Sequence, residues 1–385
     1  MLAATAALAG LVAAGGGAES ISAEAEVVVA GRPQVVFDWR REACSPLEEP
    51  DLPARAIRDS SGRVQLLLSH YVSYRLTGPT LNRLRPRCRP VMTSVEDPDP
   101  RSFQDRRWVA SPFTRDGRHV WALVHEEYQG NRHPGRCPER AYYPCWYNAI
   151  TLARSSDGGR SYRQARPPRQ LVAAPARRYR HGLGPTGVFA PSNVIERGGY
   201  FYALVRVREP AAPSGDCLLR SGDIGSPGSW RAWDGSSFDL TLADPYRAGT
   251  AGRRCRRIAP DQISEMTESL TFNTEIDRYL LVGVAGPVEK GPAAERGVYF
   301  STSTDLVHWS PRQLVLRAPT LHSYRCGRPS PVAYPSVIDP ASRGRSFETS
   351  GRHAYLYFTK FRYRNCQKTP DRDLMRVRLS ISRRG

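Results

Sequence analysis

The chain has 385 residues, of which 40% are hydrophobic and 24% are charged, with 32 Gly and 32 Pro. This composition excludes a disordered, collagen-like or coiled-coil protein, and prolines scattered along the chain favour short strands and turns over long helices. The formal net charge is +19, and all but three of the 56 cationic residues are Arg. We do not expect a nucleic-acid partner, because no compact basic helix or known binding motif is present, whereas an anionic glycan or cell-wall surface stays open.

The first residues are typical of an export signal. Residues 2–14 are small and apolar and are followed by Gly15, Gly16 and Gly17. This stretch is shorter than the roughly 20 apolar residues that a membrane-spanning helix needs. We therefore predict a signal peptide over residues 1–25, a secreted, periplasmic or cell-envelope protein, and no stable membrane insertion.

Eight cysteines follow, and none of them forms the Cys-x-x-Cys spacing of a zinc site. In an exported protein an even number of cysteines favours disulfides over catalytic thiols. Eight cysteines allow 105 pairings, and local pairing in chain order is our hypothesis. The predicted pairs are Cys44–Cys88, Cys137–Cys145, Cys217–Cys255 and Cys326–Cys366.

A hairpin pattern occurs five times along the chain. Each copy has a short apolar stretch, a turn rich in Gly, Asp or Arg, and a longer strand-forming stretch. The copies begin at Pro53, Ser111, Pro191, Glu268 and Pro335. Four strands per copy with no helical crossover between them predict an all-β fold, a five-bladed β-propeller of four-stranded antiparallel blades over residues 38–383.

A second repeat follows the second, third and fourth hairpins. In each copy a strand ends in Ser-x-Asp, and a tight loop then leads to an aromatic residue. The pairs are Asp157 with Tyr162, Asp223 with Trp230, and Asp305 with Trp309. We expect the Asp to accept backbone N–H bonds across the turn and the aromatic ring to pack between sheets, which is a folding role and not a catalytic one.

The five-hairpin layout, the Asp-box turn at Asp157 and the segment STSTDLVHW from Ser301 resemble the five-bladed propeller glycoside hydrolases. That superfamily includes arabinanases, xylosidases and invertase-like enzymes, and the chain is most similar to a secreted bacterial subgroup of it. The chain lacks the WMNDPNG-type motif of the invertases and an RDP triplet. It also lacks, over residues 187–191, the acid expected in an arabinanase. The resemblance implies a glycosidase acting on a carbohydrate substrate.

The topology of a four-stranded blade indicates which residues face the mouth of the central channel. The first strand of a blade begins, and its second strand ends, at the same edge. At the starts of the five first strands, four positions are proline and the fifth is Glu268. Asp51 directly precedes the first of these strands. On the second strand of the second hairpin, His125 and Glu127 point the same way and Glu126 points the opposite way.

Glycosidic cleavage needs a pair of carboxyl groups, one as acid and one as base or nucleophile. We predict Glu268 as the general acid, since burial would raise its pKa, and Asp51 as the base or nucleophile. We predict that Glu127 tunes the protonation of its partner or binds a sugar hydroxyl. The predicted substrate contacts are His125, His70, Arg55, Tyr334 and Asn193.

Other interpretations stay open for these acids. Each carboxylate can instead be solvated or paired with one of the many arginines. Asp97, Asp99 and Glu265 are second candidates, and the DPDP stretch is an alternative Ca²⁺ site through oxygen ligands. No nucleotide loop, haem motif or metal cluster is present, so we expect no organic cofactor and no catalytic metal.

We therefore predict a secreted, monomeric glycoside hydrolase that acts on an arabinan-, fructan- or cell-wall-type polysaccharide. The first alternative is a carbohydrate-binding propeller without catalysis. The second alternative is a sialidase-like exo-glycosidase, suggested by the Asp box. It fits less well, because sialidases use six blades and three convergent arginines.

Overall fold

The computed structural model describes residues 25–384, apart from residues 211, 248, 250–253, 265, 287–294 and 322. The predicted signal peptide lies outside these residues, except for Ala25. Within them the chain forms 23 strands and five short helices. The helices are α1 (Trp39–Glu42), α2 (Pro260–Ile263) and the 3₁₀ turns Gly130–Arg132, Tyr143–Cys145 and Pro227–Ser229. The predicted all-β class is confirmed. Across the described ranges, no helix is both long and apolar enough to span a bilayer.

The strands fall into five consecutive groups of neighbours along the chain, after an initial strand β1 (Ala25–Phe37). Group 1 contains β2 (Arg55–Arg58), β3 (Val64–Leu68), β4 (Val72–Gly78) and β5 (Arg85–Thr93). Group 2 contains β6 (Arg106–Phe113), β7 (Val120–Gln129), β8 (Trp146–Ser155), β9 (Arg163–Gln164) and β10 (Leu171–Ala173). Group 3 contains β11 (Thr186–Phe189), β12 (Ile195–Arg197), β13 (Tyr200–Glu209), β14 (Ala212–Ser221) and β15 (Arg231–Ala232).

The last two groups complete the described chain. Group 4 contains β16 (Ser269–Asn273), β17 (Arg278–Ala285), β18 (Gly297–Ser303) and β19 (Gln313–Arg317). Group 5 contains β20 (Val332–Ile338), β22 (His353–Arg364) and β23 (Gln367–Arg383), and β1 pairs antiparallel with β23. The short strand β21 (Thr349–Ser350) pairs instead with β16 of group 4. Strand β1 thus lies ahead of the predicted domain start at residue 38 and joins the first described residues to the last group.

Groups 2 and 3 share one ten-stranded sheet, because β11 runs parallel to β8. In this pairing Thr186 lies opposite Tyr147 and Gly187 lies opposite Asn148. Gly187 has a φ of +143°, and a Cβ on it would lie 2.3 Å from the carbonyl oxygen of Asn148. Only glycine fits at this close approach of two backbones.

The five predicted hairpins are confirmed, and each has a strand on both sides of its turn. In group 1, the Asp59 carboxylate accepts hydrogen bonds from the N–H groups of Ser61 and Arg63, both at 3.0 Å, and Gly62 has a φ of +81°. The side chain of Asp and the freedom of Gly therefore close this turn. The four predicted disulfides, paired in chain order, are also confirmed.

The Asp-box turns have the predicted structure. The Asp157 carboxylate accepts the N–H groups of Arg160 and Ser161, both at 3.0 Å, and Asp305 accepts those of Val307 and His308 at 2.9 and 2.8 Å. The aromatic residues that follow are buried: Tyr162, Trp230 and Trp309. These side chains stabilise turns and inter-sheet packing, as the sequence predicts.

Apolar clusters lie between successive groups. Clusters connect group 1 with group 2, group 2 with group 3, group 3 with group 4, and group 4 with group 5. A fifth cluster packs group 5 back against group 1, where Leu66 and Leu76 meet Ile338, Tyr357 and Leu374. Strand β3 is buried along its whole length, because alternate side chains serve both neighbours of group 1.

The mouth edge of a group is the edge at which its first strand begins and its second strand ends. At the opposite edge, residues 339–352 form a strap that contacts three other groups. The N–H of Arg58 donates to Arg345 O at 2.7 Å, and the N–H of Thr114 donates to Ser346 Oγ at 2.8 Å. The N–H of Phe272 donates to Glu348 O at 3.1 Å. The strap therefore ties the far ends of groups 1, 2 and 4 to group 5.

Candidate active site

Asp51 lies at the mouth edge of group 1, where its N–H donates to Ser69 O at 3.0 Å. Three other side chains donate to its carboxylate. Arg372 donates to Oδ1, Tyr334 donates to Oδ1 at 3.2 Å, and Trp108 Nε1 donates to Oδ2 at 3.3 Å. Groups 1, 2 and 5 therefore meet at this carboxylate.

Arg372 favours the ionised form of Asp51. Burial alone would raise the pKa of Asp51, but Arg372 outweighs it with help from His70 and Lys368, so the pKa lies below its ordinary value. Arg372 is itself buried and also contacts Glu49, with Nη2 2.6 Å from Oε2. Burial nevertheless raises the pKa of Glu49 to about 7. Asp51 is thus the ionised member of this acid pair at mildly acidic pH.

Glu127 is buried at the mouth end of β7. Its Oε1 accepts hydrogen bonds from the Tyr142 hydroxyl and from Gln129 Nε2, both at 2.5 Å. Its Oε2 lies 3.4 Å from His125 Nε2, so His125 and Glu127 share one face of the strand as predicted from the alternation. Asn148 Nδ2 on the next strand lies 3.3 Å from the same nitrogen of His125.

Two tyrosines connect the Glu127 cluster with Asp51. Burial raises the pKa of Tyr142, and the charges of Glu127 and Asp51 raise it further. Burial likewise raises the pKa of Tyr334, with further contributions from Asp51 and, more weakly, Glu127. Tyr142 donates to Glu127 and Tyr334 donates to Asp51, and the charge of each carboxylate also acts on the tyrosine that bonds the other.

Glu268 lies at the mouth edge of group 4, just before β16. Its Oε2 accepts the N–H of Thr267 at 3.1 Å, and its Oε1 accepts the N–H of Val284 at 3.3 Å. A Cβ on Gly283 would lie 2.4 Å from Oε2, so only glycine leaves room for this carboxylate. Burial raises the pKa of Glu268 to about 7, although Arg206 and the two backbone donors lower it. Glu268 is therefore protonated at mildly acidic pH.

Arg55 links Glu268 to the strand that carries Tyr334. Its Nη2 donates to the carbonyl oxygen of Glu268, and its Nη1 donates to Ser336 Oγ at 2.9 Å. Arg55 is buried, and this burial lowers its pKa to about 9 in spite of the nearby Glu268. The guanidinium thus holds groups 1, 4 and 5 together at the site.

The other two predicted contacts have different surroundings. His70 is buried between Tyr71 and Trp108, with Nδ1 3.1 Å from Leu47 O and Nε2 3.9 Å from Asp51 Oδ2. Burial lowers the pKa of His70. Asn193 uses its side-chain amide on the backbone of Leu270, accepting from its N–H at 2.8 Å and donating to its carbonyl. Asn193 therefore positions the strand that follows Glu268.

The second-rank acids lie apart from these contacts. Asp99 forms a salt bridge with Arg101 at 2.8 Å, and Asp97 accepts the N–H of Asp99 at 2.9 Å. Glu265 lies outside the described residues. Within those residues, the one metal-like cluster of His, Cys, Asp and Glu is Cys137, Glu139 and Cys145, and its two sulfurs are joined in a disulfide. Those cysteines therefore offer no thiolate ligands.

The structure adds three residues that the sequence did not single out: Arg372, Tyr142 and Trp108. Arg372 is one arginine among many and lies 321 positions from Asp51, so no local pattern marks it. Tyr142 lies between Cys137 and Cys145, and a disulfide-tied loop with an aromatic run at the mouth edge was the available signal. Trp108 lies near the start of a first strand, a position that already indicated the mouth.

No family model and no curated protein matches the chain. Among solved structures, the chain is similar to a xylan β-1,4-xylosidase from Bacillus halodurans, with 11% identity, a TM-score of 0.44, and coverage of 86% of this chain and 54% of that one. It is similar to a thermostable family-43 glycoside hydrolase, with 10% identity, a TM-score of 0.44, and coverage of 93% of this chain and 95% of that one. It is also similar to an exo-1,5-α-L-arabinanase from a bovine ruminal metagenomic library, with 12% identity, a TM-score of 0.45, and coverage of 86% of this chain and 94% of that one.

These structures are glycoside hydrolases of the kind that the sequence resembles. The chain spans about half the length of the xylosidase.

Proposed function

We propose that the chain is a glycoside hydrolase in which Glu268 is the general acid and Asp51 is the base or nucleophile. The contacts of Arg55 carry this proposal: it joins the backbone of Glu268 to Ser336 on β20, the strand whose Tyr334 donates to Asp51. The surroundings of the two carboxyl groups also move their pKa values in opposite directions. The pKa of Glu268 is raised to about 7, and that of Asp51 is lowered. An acid and a base that act at the same pH require two carboxyl groups with different pKa values.

The chemistry follows from these protonation states. Below pH 7 the protonated Glu268 can give its proton to the glycosidic oxygen as the bond to the anomeric carbon breaks. Asp51 is ionised at the same pH and can take a proton from water or attack the anomeric carbon. Arg372 keeps Asp51 charged, and Glu127, held by Tyr142, adds a third carboxylate to the site.

For the predicted contacts we propose two roles. His70, His125 and Tyr334 surround the Asp51 and Glu127 carboxylates and would contact the substrate. Arg55 and Asn193 bind the backbone of Glu268 and Leu270, and so would act by positioning the general acid.

We further propose that the five groups form a five-bladed propeller. The cyclic order of the apolar clusters supports it, since each group packs on the next and group 5 packs on group 1. The four disulfides support a secreted or cell-envelope protein, because disulfides persist in oxidising compartments. We propose a monomer without an organic cofactor.

The test compares wild type, Glu268→Gln and the control Glu275→Gln, which replaces an exposed acid in the next turn. Each is assayed on a panel of arabinans, fructans and xylans and on aryl glycosides. Loss of a general acid lowers the rate by about 10²–10⁴-fold, and by less for aryl leaving groups that need no proton. Equal activity of wild type and Glu268→Gln would remove Glu268 from the mechanism. Binding by wild type without any release of reducing ends would instead favour the carbohydrate-binding alternative.

A further inference from the structure

Four loops at the mouth edges carry a concentration of positive charge. We call them together the basic rim: residues 130–145, 174–185, 318–321 with 323–331, and 363–370, the last of which includes the ends of β22 and β23. They join β7 to β8, β10 to β11, β19 to β20 and β22 to β23. Their sequences contain ten Arg and Lys residues and a single acid, Glu139. The ten are Arg132, Arg136, Arg140, Arg177, Arg178, Arg180, Arg325, Arg328, Arg364 and Lys368.

The charges of the basic rim are available to a ligand. All ten cationic side chains are exposed, and none has a salt-bridge partner among the described residues; Arg178 donates to Pro245 O at 3.1 Å and lies over the ring of Tyr246. The single acid, Glu139, faces His181, with Nδ1 2.9 Å from Oε1. Like charges gathered without partners repel one another, and a bound polyanion would relieve this repulsion.

The loops of the basic rim contact one another in pairs. Residues 130–145 and 174–185 are joined by a hydrogen bond from the Tyr179 hydroxyl to Arg136 O at 2.7 Å and from Gly182 N–H to Pro144 O at 2.9 Å. The disulfide Cys326–Cys366 joins the other two loops. The rim therefore consists of two pairs of joined loops, which all lie at the mouth edges of their groups.

Aromatic rings lie between these charges. Tyr143 is 60% exposed, and Tyr142 stacks on Trp146 with ring centroids 4.8 Å apart. Across the rim, Tyr324 and Tyr363 lie with centroids 4.0 Å apart. Flat aromatic faces with nearby donors suit the apolar faces and polar edges of sugar rings.

The basic rim also reaches the proposed active site. The Tyr142 hydroxyl donates to Glu127 at 2.5 Å, and Lys368 acts electrostatically on both Asp51 and Glu49. A polymer chain whose scissile bond lies at Asp51 would therefore place its neighbouring sugars on the rim.

From these observations we propose that the substrate is an anionic polysaccharide, whose carboxylate or phosphate groups bind the arginines of the basic rim while its sugar rings contact the tyrosines. This inference rests on the proposed glycosidase site and specifies its substrate class. A neutral polymer gains nothing from the charge of these cations, whereas an acidic one is attracted by it in a salt-dependent way.

The test measures binding without turnover, using the full-length Glu268→Gln protein. The ligands are polygalacturonate as a carboxylate polysaccharide, a phosphomannan as a phosphate polysaccharide, and neutral linear arabinan and xylan. The rim variant adds Arg136→Gln, Arg177→Gln, Arg325→Gln and Arg364→Gln. The control variant adds Arg63→Gln, Arg118→Gln, Arg160→Gln and Arg352→Gln, four exposed arginines at the opposite edges.

We expect tight binding to one of the two anionic polymers. This binding should weaken by about tenfold or more in the rim variant and stay unchanged in the control variant. It should also weaken by about tenfold or more when NaCl is raised from about 20 to about 300 mM. The polymer that binds identifies carboxylate or phosphate as the recognised group. Equal binding of neutral and anionic polymers, or equal binding by the rim and control variants, would overturn the inference. Tighter binding of a single-stranded oligonucleotide of matched charge would overturn it in favour of nucleic acid.

Failure of this inference and failure of the proposed function are separable. If the wild type cleaves a neutral polymer and the inactive protein ignores both anionic ones, the glycosidase proposal stands and the substrate class is wrong. If anionic polymers bind through the rim but the wild type never cleaves them, the binding inference stands and the catalytic proposal is wrong.

Discussion

Replacing Glu268 by Gln should change how the stability of the protein depends on pH. The half-buried side chain of Glu268 has the pKa of its carboxyl group raised to about 7 in the folded protein, from an ordinary value of 4.5. Below pH 4.5 the group is neutral in the folded and the unfolded chain and has no effect. Between pH 4.5 and 7 the unfolded chain loses this proton while the folded chain keeps it, so the free energy of unfolding falls as the pH rises.

The size of this loss follows from the same two values. At about 1.4 kcal/mol per pH unit, the rise from 4.5 to about 7 amounts to about 3 kcal/mol. A glutamine at this position keeps an oxygen for one of the two backbone donors and does not titrate. The variant therefore lacks the pH-dependent loss. The unfolding free energy of the variant minus that of wild type should be about 3 kcal/mol larger at pH 8 than at pH 4.

The assay is urea unfolding of wild type and Glu268→Gln at steps between pH 4 and pH 8, with Glu275→Gln as the exposed control. Taking the difference between proteins at each pH cancels the titration of all other groups. A wild-type-minus-variant difference in unfolding free energy that does not change with pH would refute the raised pKa of Glu268, and with it the assignment of Glu268 as general acid. The control should show no such change, since its carboxylate is exposed.

Three further predictions concern the site, the strap and the disulfides. Tyr142→Phe removes the hydrogen bond to Glu127, and we expect unfolding free energy to fall by about 0.5–1.5 kcal/mol and the pH–activity profile to shift; an unchanged profile would separate Tyr142 from the reaction. Ser346→Ala leaves the buried N–H and carbonyl of Thr114 without the partner they share, so urea unfolding should show a loss of about 1–3 kcal/mol, and no loss would contradict the tie between strap and group 2. The disulfide Cys44–Cys88 spans 44 residues and Cys137–Cys145 spans 8. Removing the first should therefore lower the unfolding free energy by about 1–2 kcal/mol more than removing the second, because it closes the longer loop. The reverse order would show that loop-closure entropy does not dominate the effect of these disulfides.

The local structure could be predicted because it depends on neighbouring residues. Alternating apolar residues and turns of Asp and Gly indicated the hairpins, and the Asp-box turns use a carboxylate and backbone N–H groups only a few residues apart. The disulfides followed chain order because each closes a local excursion between strands. The pairing of β1 with β23 was not predictable in this way, because residues at opposite ends of the described chain leave no periodic signal.

The candidate site was predictable only as a set of carboxylates at one edge of the sheets. The amino-acid sequence by itself determined the strands, their turns and the mouth-edge positions of Asp51, Glu127 and Glu268, since backbone hydrogen bonding and side-chain alternation act over short stretches. Only the tertiary structure decided that Arg372 contacts Asp51 from 321 positions away and that packing around Glu268 raises the pKa of its carboxyl group. Protonation depends on burial and charges in space, and packing from several sheets sets both.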